Sequence, residues 1–201
     1  MANEDLTRDK ARTRDKDLTP GKDLARHYLD DALGEFRKLK GFADKAVAQV
    51  SDEDWFHQLD PESNSIALVM KHIVGNMRSR WTDFLTTDGE KPDRNRDTEF
   101  ERTGSDTKDR LLERWESGWR LLFDALTPLT AEDLQKTVTI RGESHTVLQA
   151  VNRQLTHYAG HIGQIVYLAK HFAGERWKTL SIPRGKSRQF DVTKIGTPYR
   201  P

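Results

Sequence analysis

The sequence predicts an all-α fold, a four-helix bundle with a short β-hairpin before the fourth helix and an irregular C-terminal extension. Three observations predict it. Apolar residues recur at three- and four-residue steps in four separate runs, the period of a helix that buries one face. Hydrophobic residues make up 35% of the 201 and charged residues 32%, the balance of a small helical protein whose helices each keep one face wet. Strand-like alternation is confined to KTVTIRGESHTV, residues 136–147, where Thr and Val alternate around Arg141-Gly142-Glu143 and Gly marks a turn.

Each element can be justified in order. Residues 1–21 mix acidic and basic side chains, hold almost no large apolar residue and end in Thr19-Pro20-Gly21, which reads as a flexible charged arm. The first helix runs from about Lys22 to Val50, with Leu24, Tyr28, Ala32, Leu33, Phe36, Leu39 and Phe42 on its apolar stripe. Ser51-Asp52-Glu53-Asp54 interrupts it, and Asp60-Pro61 marks a further loop. The second helix follows an N-cap at Ser63 or Asn64 and reaches about Thr86 over Ile66, Val69, Met70, Ile73, Met77, Trp81 and Phe84.

Residues 87–104 form a charged connection rich in turn residues. The third helix spans about Ser105 to Leu126, turns Leu111, Leu112, Trp115, Trp119, Leu122 and Phe123 inward, and is stopped by Pro128. Thr130-Ala131-Glu132-Asp133 reads as a capped single turn. The fourth helix covers about 147–173. The irregular, basic segment after it is expected to pack over the bundle through Trp177, Leu180, Ile182 and Phe190. One helical domain at 22–190 and a tail at 191–201 complete the expected organisation.

Composition removes several function classes. A net charge of +1 gives no electrostatic ground for nucleic-acid binding. With no cysteine, disulfides, thiolate metal sites and a nucleophilic thiol are all excluded. The N-terminus lacks the apolar stretch of a signal peptide, and no window approaches a membrane span. A soluble cytoplasmic protein is the expectation.

The chemistry concentrates in QLTHYAGHIGQIVYLA, residues 154–169, where His157 and His161 lie four apart. Leu148, Val151, Leu155, Tyr158, Ile162, Ile165 and Ala169 define the apolar face of that helix, and the two histidines fall at its edge, one turn apart. A catalytic metal needs a third ligand from a facing helix. His72 offers one, at the edge of the second helix's stripe, with Asn76, Ser79 and Asp83 continuing a polar row. His27, His57, His145 and His171 sit at helix ends, in a loop or in the hairpin, and are weaker candidates. Seven histidines in the chain make one such pair an ordinary chance event. From spacing and geometry alone, a metal site and a set of hydrogen-bonded boundary histidines stand side by side.

SNSIALVMKHIVGNMRSRW at 63–81 and HYAGHIGQI at 157–165, together with DFLTTDGEKPDRNRDTEF and SIPRGKSRQF, resemble the DinB/YfiT-like superfamily of metalloenzymes, in a branch that is a domain of unknown function. The resemblance covers about residues 22–190. It implies a DinB-type four-helix bundle, often a homodimer, with a divalent metal, Zn or Ni, on His72, His157 and His161. Members of that superfamily with assigned activities are thiol-dependent transferases or isomerases that use a low-molecular-weight thiol such as bacillithiol, mycothiol or glutathione. The branch has no assigned reaction, so the resemblance itself stops at the metal site, and a thiol-dependent transferase or isomerase is the first hypothesis. Water in place of the thiol would make a metal-dependent hydrolase. A non-catalytic dimeric binding or stress-response protein with a structural or vestigial site is the alternative of another class. Gln164, one turn beyond His161, and Asn76, one turn beyond His72, are candidates to orient ligands. Arg78, Arg80 and Arg184 are candidate anchors for a cosubstrate's carboxylates.

Overall fold

The computed structural model describes residues 22–189. The expected N-terminal arm, the C-terminal tail and Phe190 lie outside the described residues. The fold is mostly helical, with five α-helices and one two-stranded antiparallel sheet among the described residues. The helices are α1 (Lys22–Val47), α2 (Asp52–Phe56), α3 (Ile66–Trp81), α4 (Lys108–Leu126) and α5 (Val147–Ala173). The strands are β1 (Thr137–Ile140) and β2 (Glu143–Thr146). α1 packs along α5, α3 lies against both α4 and α5, and α1 also touches α4.

The core forms where these stripes meet. Phe36 of α1 makes edge contacts with Trp81 and Trp119 and a tilted one with Tyr158, at centroid distances of 6.0–6.5 Å. Such edge arrangements suit the ring quadrupoles. The indole of Trp115 donates to Asp44 Oδ1 at 2.8 Å, fixing α4 on α1. The hydroxyl of Tyr28 donates to Asn152 Oδ1 at 2.8 Å, fixing α1 on α5. Leu24, expected on the α1 stripe, is 74% exposed. The packed face of α1 begins instead with Ala25 and Tyr28. Trp177 and Leu180 pack against the core as expected, but Ile182 is exposed.

Several boundaries differ from the sequence reading for local reasons. Ser51-Asp52-Glu53-Asp54 starts the separate helix α2, with Ser51 Oγ accepting from the Asp54 N–H, and α2 brings Trp55 fully into the core. The N-cap of α3 is Ser65, whose hydroxyl accepts from the Leu68 N–H. α3 ends at Trp81 and not near Thr86, because Thr82 is extended and Asp83 takes a left-handed φ of 48°. Asp83 is therefore exposed and leaves the polar row, while Phe84 stays buried beyond the helix end. α4 starts behind the Thr107 cap.

The hairpin adopts the turn that its central residues demand. Arg141 and Gly142 have φ of 58° and 77°, the signs of a type I′ turn. A non-glycine residue there is strained, and the connection before α4 supplies the compensation. Asp88 accepts from the backbone N–H groups of Arg141 and Gly142 at 2.8 Å each, and Glu90 accepts from Arg141 Nε at 2.9 Å. β2 then runs straight into α5 through a capping box. The Thr146 hydroxyl accepts from the Gln149 N–H, and Gln149 Oε1 accepts from the Thr146 N–H. This junction sets where on α5 the histidines fall.

Candidate metal centre

α3 is buried around most of its circumference, and its inward polar residues include His72, Asn76 and Arg80. α5 faces it with Gln154, Tyr158 and the edge carrying His157 and His161. Tyr158 keys the two helices together. Its hydroxyl donates to Asn76 Oδ1 at 3.0 Å and accepts from Trp81 Nε1 at 3.1 Å. Burial raises the phenol's pKa far above its ordinary value, so it stays a neutral donor. With that register, the three histidines meet. His157 Nε2 is 3.3 Å from His72 Nε2 and 3.1 Å from His161 Nε2. The three form a cluster whose geometry is compatible with a metal ion. A Zn–N bond of about 2.0–2.1 Å places neighbouring nitrogens about 3.3 Å apart in a tetrahedron and about 2.9 Å apart on an octahedral face. Both separations fall in that range.

Hydrogen bonds decide which nitrogen points inward. Glu99 Oε2 lies 2.8 Å from His72 Nδ1. Burial pushes the Glu99 carboxyl up, but His72 and the Arg94 guanidinium outweigh it and hold the pKa below the usual carboxylate range. Glu99 is thus an acceptor, Nδ1 of His72 carries the hydrogen, and Nε2 presents its lone pair. Gln164 Oε1 accepts from His161 Nδ1 at 2.9 Å with the same result. His157 Nδ1 is buried without a hydrogen-bond partner among the described residues. Burial, then His161, His72, Arg80 and Arg94, push His157 down to about 3. Burial likewise lowers His161, against the pull of Gln164. Two lone pairs therefore converge on His157 Nε2, which has one hydrogen at most to offer, and protonation is opposed. A metal cation satisfies all three nitrogens at once.

Glu99 is the residue that sequence reasoning missed. It lies in a single 3-10 turn, Asp97–Phe100, within the connection read only as charged and turn-rich. Arg94 grips it with Nε at 2.8 Å and Nη2 at 2.9 Å. Phe100, from the same turn, stacks on the His72 ring with centroids 4.8 Å apart. The turn can approach because α3 has glycine beneath it: a Cβ on Gly75 would lie 2.2 Å from Glu99 Oε1. Ser79 and Arg80 anchor the same connection. The Ser79 hydroxyl donates to the Gly89 carbonyl at 2.8 Å and accepts from the Lys91 N–H at 3.0 Å, while Arg80 bonds the Gly89 carbonyl and Glu90.

The other sequence candidates divide cleanly. Gln164 bonds His161. Asn76 lines the cavity but bonds Tyr158, with no hydrogen bond to His72. Arg80 is 5% exposed and lines the cavity. Arg78 pairs with Asp93 on the surface, and Arg184 is exposed and does not line the cavity. His27 and His171 are exposed, His57 packs on Phe172, and His145 stays on β2, so none of the four joins the cluster.

No helix among the described residues is long and apolar enough to cross a membrane. No curated protein matches the chain. A family model described as "Protein of unknown function (DUF1572)" matches residues 23–186. That span takes in the three histidines, Glu99 and all five helices apart from the first residue of α1, and the chain belongs to this family.

Proposed function

We propose that the protein is a divalent-metal-dependent enzyme centred on His72, His157 and His161, acting through a low-molecular-weight thiol. The observation that carries the reading is the convergence of three Nε2 atoms, two with their lone pairs turned inward by Glu99 and Gln164. The packing of α1, α3, α4 and α5 supports the DinB-type four-helix bundle that the sequence resembles, with α2 as a short addition between the first two long helices. Association as a homodimer in the cytoplasm belongs to the same reading.

Three neutral imidazoles leave Zn²⁺ or Ni²⁺ its charge and at least one open position, and such an ion lowers the pKa of a thiol or water bound beside it. The remaining work falls to the chain. Glu99 and Gln164 hold the imidazoles in the ligating tautomer, Phe100 covers the His72 ring, and Asn76 and Gln154 supply polar wall. A cysteine-free chain leaves the sulfur to the cosubstrate.

Metal analysis of untagged protein is expected to find one divalent ion per chain, lost in His72→Ala, His157→Ala and His161→Ala. Substoichiometric metal indifferent to those substitutions overturns the reading. A transfer assay pairing glutathione, bacillithiol or mycothiol with electrophiles, run beside ester and amide hydrolysis, tests the thiol. Hydrolysis alone would refute the transferase part.

A further inference from the structure

The cavity that the histidines face has a volume of about 380 Å³, and its walls carry a one-sided charge. Five guanidiniums line it, from Arg80, Arg94, Arg96, Arg141 and Arg153, and no carboxylate among the described residues does. The chain as a whole is almost neutral, so this is a local concentration. Glu90 and Glu99 stand behind the wall and are already saturated. Glu90 accepts from Arg80 at 3.0 Å, Arg141 at 2.9 Å and Arg94 at 3.3 Å, and Glu99 accepts from Arg94 and His72.

Two of the five guanidiniums have no carboxylate partner among the described residues. Arg96 lies over the Phe100 ring, 5.2 Å from its centroid. Arg153 is exposed on α5, one turn before His157, and its side chain makes no hydrogen bond or ion pair among the described residues. Guanidiniums favour oxyanions, which they bind with paired N–H donors.

We infer that this cavity binds the phosphate group of a phosphate monoester, held by Arg96 and Arg153 beside the histidine cluster, with Arg80, Arg94 and Arg141 adding positive charge in the wall. The two free guanidiniums arrive from separate elements: Arg96 at the start of the 3-10 turn and Arg153 on α5. A phosphoryl group offers three equivalent oxygens in three directions, whereas a carboxylate offers two in one plane. The inference rests on the metal-enzyme reading only in calling that molecule a substrate.

Calorimetric titration of the full chain with phenyl phosphate, succinate and benzyl alcohol tests it, on chelator-treated and metal-loaded samples whose metal content is measured. Phenyl phosphate should bind both samples, at least tenfold more tightly than succinate. Benzyl alcohol should not bind. Arg96→Gln and Arg153→Gln should each weaken phenyl phosphate roughly tenfold and leave metal content unchanged. Equal or tighter binding of succinate, binding of benzyl alcohol, or wild-type affinity in the double variant overturns the inference. Phosphate selectivity in a chain that takes up no metal would overturn the metal reading alone.

Discussion

Gly75→Ala separates a generic effect from a specific one. In an ordinary helix interior this change stabilises by about 1 kcal/mol, because Ala restricts the unfolded chain and suits the helix. On α3 the new Cβ would stand 2.2 Å from Glu99 Oε1 and 2.6 Å from its Cδ. Both lie far inside contact distance, so the carboxylate must retreat by roughly 1 Å. Its bonds to His72 and Arg94, at 2.8–2.9 Å, do not survive that displacement. The Glu99 and Arg94 side chains are 8% and 5% exposed, and breaking such a pair costs about 3–5 kcal/mol. Subtracting the propensity gain leaves a net loss of about 2–4 kcal/mol. Urea unfolding of wild type, Gly75→Ala, Glu99→Ala and the double variant measures it as a cycle. In the Glu99→Ala background the sign should reverse, with Gly75→Ala gaining roughly 0.5–1 kcal/mol. A stabilised single variant, or the same sign in both backgrounds, would show that Glu99 does not sit where the geometry puts it.

Three further outcomes follow from other contacts. Tyr158→Phe removes the hydroxyl that bridges Asn76 and Trp81 and leaves both buried groups short of a partner, so it should cost about 1–3 kcal/mol in denaturant titrations. Thr146→Ala removes half of the α5 capping box and should cost about 1 kcal/mol, and an unchanged midpoint refutes the role of the cap. Asp106 gives a pH signature. Burial pushes its carboxyl up, but Lys71 and the N–H and hydroxyl of Thr103 outweigh this and hold its pKa below the ordinary value. A depressed folded pKa contributes stability that is complete above the unfolded value of about 3.9 and is lost as pH falls through the folded one. Wild type should therefore exceed Asp106→Asn by roughly 2 kcal/mol at pH 7, and the gap should close below about pH 4. A gap independent of pH would mean that the carboxylate charge plays no part.

By itself the sequence determined the elements whose physics is local. The 3.6-residue apolar period marked α1, α3, α4 and α5, the alternation around Arg141-Gly142 marked the hairpin, and the spacing of His157 and His161 placed both on one edge of α5. It also placed His72 at the margin of a buried stripe, so all three members of the cluster were legible in the order of residues alone. Only the tertiary structure decided what surrounds them. Glu99, Arg94, Arg96 and Phe100 lie in a connection with no period to read, and its path is set by contacts distant in sequence. Gly75 leaves room for the 3-10 turn, Ser79 and Arg80 hold Gly89, and Asp88 and Glu90 tie the connection to the hairpin. The end of α3 at Trp81 was hidden for a related reason. A left-handed Asp83 is a backbone choice that turns the chain back over its own helix, and residue identity does not dictate it.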